Sequence, residues 1–500
     1  MIVFTQCTQP ADSTKRFTQE VIDTIQIGST VVGVSVIKSG LNVPWEITWA
    51  PDDKIWFTTQ DGSVNRMDPE TGHIDSLLTI PDYYRKRLAL ASMVLHPNLK
   101  DQPFVFLHHL FMKDSVIFTR LVWYKVNQTR PVLSEPIILI EYPAHQGHNG
   151  SRMVIAPDGK LIIATGDIFE GKNAQDTSNL SGKIIRMNID GSVPDNNPIP
   201  GSYIWSLGFR VPQGLVYAGN GKLYSAEHGD ATDDEVNLIE KGKNYGFPDI
   251  TGFSDSANER KYSRKYNATE PLKAWTPTIA PAGMDYYETG AIKQWENSLL
   301  LVTLKAQSLR VLKLNDTGDT ILNESIVLEK KFGRLRDLCI SPDGDIYLST
   351  SNRDWNPPAG FPVAEDDRIL RLSVLSKSQL NKFVPKPRSL QEAVAISNDS
   401  GKTDYLTYCG SCHKPDGKGV EGSFPALLNS EYLYGRKEKL LSKVLHGGST
   451  QNGSQQMPAF SFLKDKEIAG ILHYIRKNFA NNHEVITEKE ISEARSVSSR

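Results

Sequence analysis

Up to about residue 376 the chain is dominated by short apolar runs that come in pairs across polar turns. Ala50-Pro51-Asp52-Asp53, followed by Ile55-Trp56-Phe57-Thr58-Thr59, recurs as Ala156-Pro157-Asp158-Gly159 with Leu161-Ile162-Ile163-Ala164-Thr165. It returns as Ser341-Pro342-Asp343-Gly344 with Ile346-Tyr347-Leu348-Ser349-Thr350, and in degenerate form as Gly219-Asn220-Gly221 with Leu223-Tyr224-Ser225. An apolar strand, a Pro-Asp-Gly-type turn and a β-branched or aromatic strand make a hairpin. Hairpins repeated over this length without sustained helical periods predict a β-propeller, and six blades are expected. The uneven spacing of the copies requires long insertions between some of them.

The pattern changes near the C-terminal end. Ile468, Ile471, Leu472, Ile475 and Phe479 recur at helical spacing and give one apolar helix face, with Asp465 as the expected N-cap. Between the two regions, residues 377–395 lose periodicity, carry Pro385 and Pro387, and read as a linker. The expected organisation is an N-terminal tail over residues 1–31, a propeller over 32–376, the linker, a small helical domain over 396–482, and a polar tail over 483–500 without a core-forming face. A chain of 500 residues is long enough for two such cores.

Composition excludes more than it suggests. A net charge of −2 leaves no footprint for nucleic acid or an anionic membrane surface. No apolar run approaches the ~18–20 residues of a transmembrane helix.

The cysteines carry the first chemistry. Cys409-Gly410-Ser411-Cys412-His413 places two thiols on one helical turn, where they form thioethers to the two vinyl groups of a haem, with His413 as proximal iron ligand. Half of a zinc site is the rival reading; Cys339, in an apolar strand-like run far upstream, supports it poorly. Met457, in Met457-Pro458-Ala459-Phe460, is the expected distal ligand, and methionine opposite histidine suits an electron acceptor. This region resembles the small class-I-type cytochromes c, so haem c is an expected cofactor. Thioether attachment of haem takes place outside the cytoplasm, so a periplasmic or extracytoplasmic location is expected. Residues 1–7 are too short for a secretory signal. Cys7 reads either as the lipidated residue of a lipoprotein signal or as an unpaired cysteine in a disordered tail.

The larger region carries motifs in a characteristic order. They are His148-Asn149-Gly150-Ser151-Arg152, Gly166-Asp167, Gly182-Lys183-Ile184-Ile185-Arg186, and Gly208-Phe209-Arg210-Val211-Pro212-Gln213-Gly214. Glu227-His228-Gly229, Asp233-Asp234-Glu235-Val236-Asn237, Pro277-Thr278-Ile279-Ala280-Pro281, Leu304-Lys305 and Arg334-Leu335-Arg336-Asp337 follow. In this order they resemble the soluble quinoprotein sugar dehydrogenases, the glucose/sorbosone dehydrogenase group that uses pyrroloquinoline quinone (PQQ). The resemblance covers roughly residues 35–373 and implies a six-bladed propeller oxidising an aldose or related alcohol.

Residue chemistry agrees with it. A tricarboxylate quinone needs fixed cations, and arginine's planar fork suits carboxylates. Arg334 and Arg336 share a strand side, and Lys305 with Thr278 completes an anion clamp. By the resemblance, Arg210 and Gln213 line the quinone, and calcium sits at Gly229 and Asp230. Aspartate stands there where the family commonly has proline. Asp233, Asp234 and Glu235 look like another calcium cluster but read mainly as structural. Oxidising a sugar hydroxyl needs a base with a pKa near neutrality, and histidine fits. His148 is expected in that role, with His145 as competitor and Asp167 orienting or charge-stabilising the site.

Three positions depart from the family pattern. Arg87 stands at a substrate-contacting glutamine, Val211 at an asparagine, and Gly147 where some members have aspartate. An added arginine would suit an anionic sugar. Electrons from the quinone are expected to reach the tethered haem and then a downstream respiratory acceptor. A lactonase-like calcium propeller, a non-catalytic binding propeller and a quinoprotein for a non-sugar alcohol remain as alternatives.

Overall fold

The computed structural model describes residues 19–84, 91–127, 129–380, 400–420, 424–448 and 457–497. Cys7, Arg87 and most of the expected linker lie outside them.

Among these residues six antiparallel sheets form a propeller. Five are four-stranded blades of consecutive strands, for example Gly150–Ile155, Leu161–Thr165, Lys183–Met187 and Ile204–Leu207. The sixth closes the ring by pairing Thr30–Lys38 with Ile369–Val374, so strands from the two ends of the propeller share one sheet. The repeated turns are all alike. Ala50, Ala156, Ala218 and Ser341 each donate their backbone N–H to the residue four positions on. The position before that acceptor is left-handed, filled by Gly159, Gly221 and Gly344, and by Asp53 in the first copy. A left-handed φ is what the turn demands, and glycine or aspartate meets it at low cost.

The innermost strand of each sheet, Leu335–Ile340 in the ring-closing one, lies against the innermost strand of the next, around the central axis. There Arg152 ties the blades together. It pairs at 2.8 Å with both Glu46 and Asp337 and donates to the Gln213 carbonyl, also at 2.8 Å. Glu46 in turn accepts from the Ser92 hydroxyl at 2.6 Å. Arg152 of the His148-Asn149-Gly150-Ser151-Arg152 motif is therefore a structural lock.

The N-terminal expectation is corrected. Strand Val21–Ile27 pairs with Thr30–Lys38, so the propeller begins inside the expected 1–31 tail. The turn between them contains Gly28-Ser29, with Gly28 at φ 56°, a two-residue hairpin connection.

The C-terminal domain is helical, with Ser400–Tyr408, Gly410–His413, Glu431–Tyr434, Lys437–His446 and Asp465–Ala480. Ile468, Ile471, Leu472, Ile475 and Phe479 face its core, as their spacing requires. Asp465 is not the N-cap. Lys464 is, and its N–H donates to Glu467 at 2.7 Å, while Asp465 holds Arg495 at the same distance. Nor are residues 483–500 a coreless tail. Glu488–Val497 is a helix, capped by the reciprocal Thr487–Glu490 pair, and Ile486 and Ile491 are buried in the domain core. No helix among the described residues is long and apolar enough to cross a membrane.

Candidate active site

In an antiparallel hairpin the start of the first strand and the end of the second share one end. His148 precedes Gly150–Ile155, and Asp167 follows Leu161–Thr165. Arg210 precedes Pro212–Tyr217, which carries Gln213; Gly229 and Asp230 follow Leu223–Glu227. Thr278 precedes Pro281–Tyr287, Lys305 follows Ser298–Thr303, and Arg334 precedes Leu335–Ile340, which carries Arg336. All therefore emerge on one face of the ring. They line a cavity of about 870 Å³ whose opposite wall includes Cys409, Cys412, His413 and Met457 of the helical domain. The residues expected at the base, the quinone, the calcium and the haem line this one cavity, His145 and the undescribed Arg87 apart.

His148 Nδ1 lies 2.8 Å from Asp167 Oδ1. With the carboxylate as acceptor, Nδ1 carries the proton and Nε2 keeps its lone pair. The backbone holds this pair closely: His148 has φ 59°, and a Cβ at Gly166 would lie 2.0 Å from the His148 carbonyl oxygen. Burial first, and then the Arg210 charge, depress the imidazole to about 4 against the opposing pull of Asp167. It is therefore neutral and able to accept a proton at physiological pH, although burial places it below the near-neutral value expected from the sequence. His145 does not line the cavity and meets Phe169 edge-on.

The cation cluster is asymmetric. Arg334 and Arg336 share one carboxylate, Asp354, at 3.2 and 2.5 Å. Burial, partly offset by Asp354, lowers Arg336 to about 10. Burial would raise Asp354, but the two guanidiniums outweigh it and hold the carboxyl below its usual value. Lys305 donates to the Thr278 hydroxyl at 2.8 Å, and its ammonium is likewise depressed by burial. Arg334 Nε is buried without a hydrogen-bond partner. An excess of buried positive charge with an unused donor fits a polycarboxylate such as PQQ.

The calcium expectation fares differently. Arg210 donates to the Gly229 carbonyl at 2.6 Å and pairs with Asp230 at 3.0 Å. A guanidinium thus holds the Gly229 carbonyl and the Asp230 carboxylate in this arrangement, and a calcium ion bound there would have to displace it. Asp234 is structural, accepting from the backbone N–H groups of Gly229, Ile279 and Ala280.

The helical wall fits haem. Cys409 and Cys412 are not in a disulfide and line the wall beside His413. His413 Nδ1 is 2.9 Å from the Pro425 carbonyl, so it donates there and leaves the Nε2 lone pair that an iron would take.

Sequence reading missed several lining residues. Phe169 stacks on His148 with ring centroids 3.7 Å apart. Asp354, the counter-ion of the arginine pair, is separated from it along the chain. The charge imbalance of Arg-x-Arg was the only signal pointing to it. Of the departures from the family pattern, Gly147 and Val211 line the cavity.

Residues 41–356 match the Glucose / Sorbosone dehydrogenase family, and residues 399–478 match Cytochrome c. The chain is 28% identical over 442 residues to quinoprotein glucose dehydrogenase B of Acinetobacter calcoaceticus, across 71% of this chain and 91% of that protein. The PQQ-bound form of aldose sugar dehydrogenase from Streptomyces coelicolor aligns with a TM-score of 0.59 at 28% identity, covering 69% of this chain and 98% of that one. The helical region is 34% identical over 94 residues to cytochrome c-552 of Thermus thermophilus, across 16% of this chain and 62% of that protein. The chain belongs to the glucose/sorbosone dehydrogenase family and carries a cytochrome c domain: it is a quinoprotein oxidoreductase whose cofactors are PQQ and haem c.

Proposed function

We propose that this protein oxidises a hydroxyl of an aldose sugar or related alcohol and delivers the electrons to its own haem. One observation carries the reading: the histidine–aspartate pair, the cation cluster and the Cys-x-x-Cys-His motif line a single cavity. Arg334, Arg336, Lys305, Thr278 and Gln213 would hold PQQ, which would supply a two-electron acceptor; Cys409 and Cys412 would fix haem c, with His413 and Met457 as its iron ligands, and it would supply a one-electron acceptor.

The chain's own residues do the rest. His148 takes the hydroxyl proton at Nε2 as the same carbon gives up hydride, leaving a lactone or carbonyl product. Asp167 fixes the tautomer and stabilises the imidazolium that forms. Arg210, beside the base, stabilises negative charge developing on the substrate oxygen. Tethering raises the effective concentration of the one-electron acceptor to the order of mM. Because thioether attachment of haem is extracytoplasmic chemistry, the proposed setting is outside the cytoplasm, with a respiratory acceptor downstream.

The test is product analysis. PQQ-loaded protein is incubated with neutral and acidic aldoses and a soluble dye acceptor, and lactone is measured. PQQ-dependent lactone is expected; no oxidation of any sugar or alcohol overturns the reading.

A further inference from the structure

The propeller segment at residues 354–357 touches both halves of the cavity. At one end Asp354 holds Arg334 and Arg336, and its Oδ1 accepts from the Trp355 N–H at 2.6 Å. At the other, Asn356 uses both faces of its amide on the cytochrome domain. Its Nδ2 donates to the Ser411 carbonyl at 2.8 Å, and its Oδ1 accepts from the Lys414 ammonium. Lys414 also reaches the Pro357 carbonyl at 3.3 Å. Between these contacts the Trp355 ring packs on Phe424 with centroids 5.2 Å apart.

The points of contact matter. Ser411 lies between the two cysteines that anchor the haem, so its carbonyl cannot shift without moving both anchors. Phe424 precedes Pro425, whose carbonyl accepts from His413, the residue that would ligate the haem iron. The segment therefore grips the two devices that place the haem, while its first residue grips the two arginines of the quinone clamp.

We propose that Trp355 and Asn356 form a docking latch that seats the haem-bearing face of the cytochrome domain over the quinone site and sets the rate of electron transfer between them. The proposal rests on the reading that sugar-derived electrons reach the haem. Electron transfer falls steeply with separation, so a latch acts on that step and leaves sugar oxidation alone. Trp355 and Asn356 are positioning residues; neither needs to touch substrate.

The experiment is rapid mixing of sugar with PQQ-loaded, haem-containing full-length protein. Haem reduction is followed in the visible bands, beside steady-state turnover with a soluble dye acceptor. Asn356→Ala and Phe424→Ala are expected to slow haem reduction at least tenfold, with dye-linked turnover within twofold of wild type and the haem spectrum unchanged. Trp355→Phe, which keeps a ring against Phe424, is expected to retain near wild-type haem reduction. Wild-type haem reduction in Asn356→Ala and Phe424→Ala overturns the latch, as does a parallel fall in dye-linked turnover, which would place these residues in the quinone site. Wild-type protein that turns over the dye but never reduces its haem refutes the electron path itself, and the latch with it.

Discussion

His148 Nδ1 and Asp167 Oδ1 stand 2.8 Å apart, with the imidazole held at about 4 by burial and by the nearby Arg210. The base is competent while neutral, so activity is present above that value and is lost as pH falls through it. Asp167 pulls the imidazole pKa up, so Asp167→Asn should move the acid limb of kcat/KM to still lower pH. The variant should also lose ~10²–10⁴ in kcat, because the imidazolium formed in the transition state loses its partner. An acid limb that moves up, or an unchanged kcat, contradicts the assignment.

Arg334 and Arg336 share Asp354 and leave a buried donor unused. Arg336→Leu should weaken PQQ binding by about 10- to 100-fold, the loss of charge-assisted hydrogen bonds worth about 1.5–3 kcal/mol. Arg336→Lys should recover only part of it, since an ammonium lacks the planar fork. Titration of PQQ into the haem-containing protein measures both; equal affinity in Arg336→Leu excludes the residue from the clamp.

Arg152 compensates two buried carboxylates, Glu46 and Asp337. Arg152→Met should destabilise the fold by about 3–5 kcal/mol in denaturant unfolding. Burial already raises Glu46 to about 7, with Arg152 opposing it. Removing the arginine raises it further, so the deficit should shrink on acidification as Glu46 takes up a proton. A variant of unchanged stability, or one whose deficit grows in acid, is incompatible with this lock.

Arg210 competes with any cation for the Gly229 and Asp230 oxygens. In Arg210→Ala, calcium affinity measured calorimetrically with the metal alone should rise. Unchanged or weaker binding removes Arg210 as the competing charge.

What the sequence revealed follows the range of the interactions. Cys409 to His413 were legible because local spacing dictates their geometry, whereas His148 and the Arg-x-Arg pair were legible through the ordered motifs that resemble a known family. Asp354, Trp355 and Asn356 were not, because their partners are remote: Asn356 and Ser411 are 55 residues apart, and that juxtaposition exists only once two domains meet. The first strand went unread for the same reason, since its hairpin is anchored to Ile369–Val374 at the far end of the propeller. The last helix had a visible capping box at Thr487 and Glu490, but Ile486 and Ile491 are too few to make a periodic face.

The most direct test of the account is the visible difference spectrum of the full-length protein, loaded with PQQ and kept anaerobic, on addition of an aldose. Reduced-haem bands should appear only when quinone and sugar are both present, with no external mediator. Haem that stays oxidised while bound quinone is turned over by sugar, or haem that sugar reduces without PQQ, would contradict it.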